Sequence, residues 1–82
     1  MDKIIIHLEV PSIEQGYDMY VPTFITVEEL VNLLVRAVKD VSGIYNSSGN
    51  EVLCLKERGL LLEPERTLAD FNVRNGDHIV MI

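Results

Sequence analysis

Thr26-Val27-Glu28-Glu29-Leu30-Val31-Asn32-Leu33-Leu34-Val35-Arg36-Ala37-Val38-Lys39-Asp40-Val41 is the stretch whose periodicity decides the fold. Val27, Leu30, Val31, Leu34, Val38 and Val41 recur at helical spacing, while Glu28, Glu29, Asn32, Arg36, Lys39 and Asp40 take the other face. Thr26 stands three residues before Glu29, so its hydroxyl can accept from one free backbone N–H while the carboxylate reaches back to another. Glu28 and Glu29 also suit the positive end of a helix dipole. Gly43 can take the left-handed conformation that closes a helix. The spacing therefore predicts one helix from Val27 to Val41, with Leu33 off its apolar stripe at ~100° per residue.

On the N-terminal side, Ile4, Ile6, Leu8 and Val10 share one parity and Lys3, His7 and Glu9 the other, the pattern of a half-buried strand. Turn formers fill residues 11–16, and Tyr17, Met19 and Val21 then alternate with Asp18 and Tyr20 in a returning strand that Pro22 ends or marks as an edge. Beyond the helix, residues 43–50 carry too little apolar character for an element. Strand periodicity resumes at Val52, with Leu53 and Leu55 on one face and Val52, Cys54 and Lys56 on the other. Glu57-Arg58-Gly59 is a tight turn into Leu60-Leu61-Leu62, a short strand stopped by Glu63-Pro64-Glu65. Thr67 and Asp70 can cap one short helical turn, and Asn75-Gly76-Asp77 leads into a last strand, His78 to Ile82. The order implies an α+β fold: a mixed sheet of four to five strands packed on one helix, with the first and last strands parallel at its centre.

At 82 residues the chain has room for one core, so residues 1–82 read as a single domain. Apolar residues make up 48%, ample for that core. Thirteen acidic against 7 basic residues give a net charge of -6, and the basic ones are scattered; this argues against nucleic acid as a partner. Cys54 is the one cysteine, so no internal disulfide can form, and the cytoplasm fits. The first residues lack the uninterrupted apolar run of a signal peptide. No stretch approaches the ~20 apolar residues that span a bilayer, so direct membrane insertion is not expected.

Leu62-Glu63-Pro64-Glu65-Arg66-Thr67-Leu68-Ala69-Asp70-Phe71-Asn72-Val73 resembles the signature that follows the fourth strand of ubiquitin. There an Arg-Thr-Leu, an Asp, an aromatic, an Asn and a branched aliphatic occur at the same spacing, and the preceding elements fall in the same order. The resemblance covers essentially the whole chain and implies the ubiquitin-like β-grasp fold. It also implies a core of Ile4, Ile6, Met19, Val21, Val27, Leu30, Leu34, Leu55, Leu62, Leu68, Phe71, Val73, Ile79 and Met81.

Two departures bear on function. Lys56 stands where ubiquitin has the central isoleucine of its apolar patch, and Leu60 where it has its best-known linkage lysine, so receptors of ubiquitin are not expected to recognise this surface. The sequence stops at Ile82 without the diglycine that conjugated modifiers and sulfur carriers use, so conjugation is not expected.

Within the superfamily, Tyr17-Asp18-Met19-Tyr20-Val21-Pro22 and the Gly76-Asp77 turn before the last strand look like the YukD/EsaB type, small ubiquitin-like proteins of bacterial type VII (WXG100) secretion systems. That resemblance implies a cytoplasmic accessory or regulatory component that binds a protein partner, a membrane component of the secretion machine being the candidate. Two other readings stay open: a ubiquitin-like domain cut from a longer protein, and a modifier or sulfur carrier that has lost its tail.

Candidate chemistry is sparse. Cys54 and His78 could form a thiol–imidazole pair if the sheet sets them side by side, but no third group orients the base, and a surface cysteine near a surface histidine is the simpler reading. One cysteine and two distant histidines are no zinc set, and no glycine-rich phosphate loop follows a strand, so no catalytic residue, metal or cofactor is expected. A surface for protein binding is more informative. Ile5, Val52, Cys54, Val80 and Ile82 are expected on the outer face of the sheet around Lys56 and His78, with Tyr20 extending them. Leu33, on the outer flank of the helix, is a second candidate contact.

Overall fold

Apolar–polar alternation makes Lys3–Val10 the first strand, β1, with Ile4, Ile6, Leu8 and Val10 buried and Ile5, His7 and Glu9 between them only partly covered. In the computed structural model, which describes residues 3–82, β1 returns through a turn at Pro11–Ile13 into β2, Gln15–Pro22. Met1 and Asp2, counted in the domain from sequence, lie outside the described residues. The two strands pair antiparallel from Lys3 opposite Pro22 to Val10 opposite Gln15.

The helix, α1, runs Val27–Ser42, one residue beyond the expected end. Its start is the reciprocal cap read from the sequence: Glu29 N–H donates to Thr26 Oγ1 at 3.2 Å and Thr26 N–H to Glu29 Oε1 at 3.1 Å. Gly43 closes it at φ 69°, its N–H reaching the Lys39 carbonyl at 3.0 Å. Val27, Leu30, Leu34 and Val38 are buried. Val41 is not: it lies on the stripe by angle but is 67% exposed.

Three strands complete the sheet: β3 Leu53–Leu55, β4 Leu60–Leu61 and β5 His78–Met81, in the order β2-β1-β5-β3-β4. β5 runs parallel to β1 and antiparallel to β3, so the first and last strands sit together at the centre. Ile82, expected inside the last strand, lies just past it but still exchanges two backbone hydrogen bonds with Val52, at 2.9 and 3.0 Å. This is the ubiquitin-like β-grasp: one helix held across one face of a five-stranded mixed sheet.

The core lies between α1 and the inner face of β1, β5 and β3, where Ile6, Leu8, Leu53, Leu55 and Ile79 are essentially inaccessible. Each such side chain contributes roughly 1.5–3 kcal/mol relative to exposure. Met19 and Phe71, expected in the core, are only partly buried on its rim, Met19 because β2 is an edge strand and Phe71 because it ends the short turn Ala69–Phe71. That turn is fixed by Thr67 and Asp70, each accepting the other's backbone N–H, at 3.0 and 3.1 Å. The segment before it is tied to the start of α1, with Val27 N–H donating to the Arg66 carbonyl at 2.7 Å and Glu28 N–H to that of Pro64 at 3.0 Å.

Residues 43–52 form no regular element, yet Tyr45 is buried among the core residues. Its hydroxyl donates to Glu51 Oε2 at 2.7 Å, and the same oxygen accepts from Ser47 Oγ at 2.6 Å and Ser48 N–H at 3.2 Å. Burial, then the adjacent carboxylate, pushes the Tyr45 phenol up to about 12. Burial works against ionisation of Glu51, but the hydrogen bonds from Ser47 and Tyr45 outweigh it and hold the carboxyl below its ordinary value.

Candidate docking surface

Because side chains alternate across a strand, paired residues share a face, and the register can be read off row by row. On the face away from α1 the first row sets Tyr20 beside Ile5. The second sets Asp18, His7 and His78 side by side. The third runs Gly16, Glu9, Val80, Cys54 and Leu61. Val52 and Ile82, bonded to each other, continue the same parity beyond Cys54 and Val80.

The register thus gathers Val52, Cys54, Val80 and Ile82, four of the residues expected to form a patch, and adds Leu61, whose face the run Leu60-Leu61-Leu62 does not disclose. Val52, Leu61 and Ile82 are exposed, while Cys54 and Val80 are half-covered. Ile5 is not brought to this group. It lies with Tyr20 at the other end of the sheet, roughly 20 Å from Ile82 at ~3.3 Å per residue along β5. Leu33 is 46% exposed on α1, in the layer on the other side of the sheet.

A polar band separates the two apolar ends. His7 Nδ1 lies 2.9 Å from Asp18 Oδ1, and His78 Nδ1 lies 2.6 Å from Glu57 Oε2. The two imidazoles meet edge to face with centroids 5.2 Å apart. Gly16 makes room for them: a Cβ there would come within 2.8 Å of His7 Nε2. Glu57 also accepts the backbone N–H of His78, and these contacts pull its carboxyl down to about 2, the His78 side chain contributing most.

Lys56 opens a tight turn, Lys56–Arg58, which Gly59 closes at φ 57° and which the Arg58 guanidinium ties to the carbonyl of Phe71. Lys56 Nζ sits 2.8 Å from Glu9 Oε1. That bond holds Glu9 below and Lys56 above their ordinary values. The two charges bordering the apolar end are therefore already paired. What sequence reading missed here is Asp18, His7 and Glu57, whose grouping follows only from strand register.

The thiol–imidazole pair considered from sequence is not assembled: Cys54 stands opposite Val80, and Glu57 faces Nδ1 of His78. Among the described residues, no group of three or more His, Cys, Asp or Glu could hold a metal ion. No described helix is long and apolar enough to cross a membrane.

A second feature lies between α1 and the β3–β4 edge, a groove of about 510 Å3 that includes Val31, Val35, Leu53 and Leu62 in its lining. Leu61 and Val52 line both this groove and the outer apolar group.

The family model of the WXG100 protein secretion system (Wss) protein YukD matches residues 5–81. No curated protein matches the sequence. Among solved structures, the chain is similar to the EccD5 ubiquitin-like domain from Mycobacterium xenopi, with TM-score 0.80 and 15% identity over 100% of this chain and 94% of that one. It is also similar to the ubiquitin-like domain of the Mycobacterium tuberculosis type VII secretion system protein EccD1, with TM-score 0.77 and 14% identity over 100% and 99%. A chain of the MycP5-free ESX-5 inner membrane complex matches with TM-score 0.73 and 13% identity, over 100% of this chain and 21% of that one. At these identities the likeness speaks for the fold alone, which the first two names give as ubiquitin-like. The family match spans the sheet and the helix alike, and on it the chain belongs to the YukD family of the WXG100 protein secretion system.

Proposed function

We propose that residues 1–82 form a single ubiquitin-like module that binds a protein, acting as a cytoplasmic accessory or regulatory component of a bacterial type VII secretion system, and that it works by docking and not by catalysis. Membership of the YukD family supports the setting. The fold shared with a chain of an inner membrane complex supports a membrane component of the machine as the partner. The observation that carries the docking reading is the apolar end of the outer face, where Val52, Cys54, Leu61, Val80 and Ile82 adjoin and the bordering Lys56 and Glu9 neutralise each other. Covering it removes apolar area from water without stranding either of those charges.

Val80→Asp and Ile82→Asp each place an unpaired carboxylate in that interface, and each is expected to weaken binding to the solubilised membrane component by at least about a hundredfold. Leu33→Asp and Ile5→Asp, away from this group, are expected to change it little. Calorimetric titration of the four variants checks this; unchanged affinity in both sheet variants would remove the outer face from consideration.

A further inference from the structure

The groove beside α1 shares Val52 and Leu61 with the outer apolar group but is otherwise lined by residues of its own, with their own chemistry. The apolar arc of the helix is wider than the sheet covers, so Val31 and Val35 stay half-buried on one flank and face Leu53 and Leu62 across the gap. Both walls are braced. The loop side is held by the carboxylate of Glu51, bonded to Tyr45, Ser47 and Ser48, and the other by the backbone bonds from Val27 and Glu28 to Arg66 and Pro64. A groove fixed in this way is ready to receive a ligand without first being ordered, and its volume lies in the ~300–1,000 Å3 range of ligand pockets.

Its charge is one-sided. The ionisable residues lining it are Glu28, Glu51 and Glu63, with no Lys or Arg among them. Glu51 is committed to the loop, and Glu63 is paired with the exposed Arg66 at 3.4 Å. The Glu28 side chain has no partner among the described residues. An acidic rim around a low-dielectric cleft attracts cations from solution. β4, which like β2 is an edge strand, lies at this opening, and among the described residues its side away from β3 pairs with no strand, leaving main-chain groups for an extended chain to meet.

We propose that this groove is a docking site for an extended segment of a partner protein that presents aliphatic side chains flanked by Lys or Arg. Apolar side chains enter between Val31 and Leu62, and the cations meet Glu28 and Glu63. The assignment goes beyond the outer-face reading, since Val80 and Ile82 take no part in it.

The test uses the isotope-labelled full chain and a short blocked peptide of alternating Leu and Lys, with two twins carrying Glu in place of Lys and Ser in place of Leu. Amide shifts are expected to centre on Val31, Val35, Leu53 and Leu61, with the Leu–Lys peptide binding at least about tenfold more tightly than either twin. The exposed change Leu61→Ser, which leaves the core intact, is expected to weaken it severalfold. Glu28→Lys combined with Glu63→Lys is expected to reverse the preference between the Lys and Glu peptides, and Val80→Asp to leave both affinities unchanged. Shifts centred on the outer sheet face, equal binding of the twins, or no shift at millimolar peptide would overturn the proposal. Shifts that grow with protein concentration alone would seat a second copy in the groove and overturn it as well.

Discussion

Glu57 concentrates the polar contacts of the outer face in one side chain, accepting from the backbone N–H of His78 and meeting its Nδ1. Its carboxyl is held at about 2 in the folded chain against an ordinary 4.5. A carboxyl depressed by folding stabilises the native state fully above its unfolded value, and that stabilisation fades as pH falls towards the folded value. The gap in urea midpoint between the native protein and Glu57→Gln is therefore expected to narrow as pH falls below about 4.5 and to close by about pH 2. Urea titrations at a series of pH values check this, and a gap that persists unchanged to pH 2 would contradict it. Little of this was legible in the sequence. Glu57 meets His78 from 21 residues away and Lys56 meets Glu9 from 47, and no local pattern announces such pairs. Tyr45 was hidden for a similar reason: one aromatic among Ser, Asn and Gly has no periodicity, and only the packed structure shows it inside.

Among the elements, α1 was the most legible, because its ends are set by local chemistry. Thr26 with Glu29 starts it and Gly43 stops it, and the bounds came within one residue. A helical wheel has no length, however, so it could not tell that Val41 overhangs. Leu34→Ala, which opens a cavity under the middle of the helix, is expected to cost ~2–5 kcal/mol. Val41→Ala is expected to fall within ~0.5 kcal/mol of the native protein, as for other exposed positions. Chemical denaturation of the two variants measures both, and a loss at Val41 comparable to that at Leu34 would mean the last turn is packed after all. The strands show the complementary limit. Parity placed Val52, Cys54, Val80 and Ile82 on one face correctly, but it says nothing of position along that face, which is why Ile5 was grouped with residues that lie at the other end.

For the whole molecule, the order of elements implied an α+β fold with the first and last strands parallel at the centre of a mixed sheet, and the resemblance of residues 62–73 to ubiquitin implied the β-grasp within that class. The groove was not legible at all: it is a gap between elements, and a sequence records only what fills space. The sheet order also grades stability, because β1 and β5 each have neighbours on both sides while β4 has one partner and two residues. Native-state hydrogen exchange is expected to find the slowest amides at Leu8 and Ile79 and much faster ones in β4, by at least about tenfold. Uniform rates across the sheet would argue against this gradient.

The parallel contact of β1 with β5 reaches across most of the chain, from His7 to His78. A fragment ending at Asp77 would lack the strand that joins β1 to β3, so the two halves of the sheet would have nothing between them. Leu8 and Leu55 would then both be without Ile79, the neighbour they share, so sheet closure waits on the last few residues of the fold.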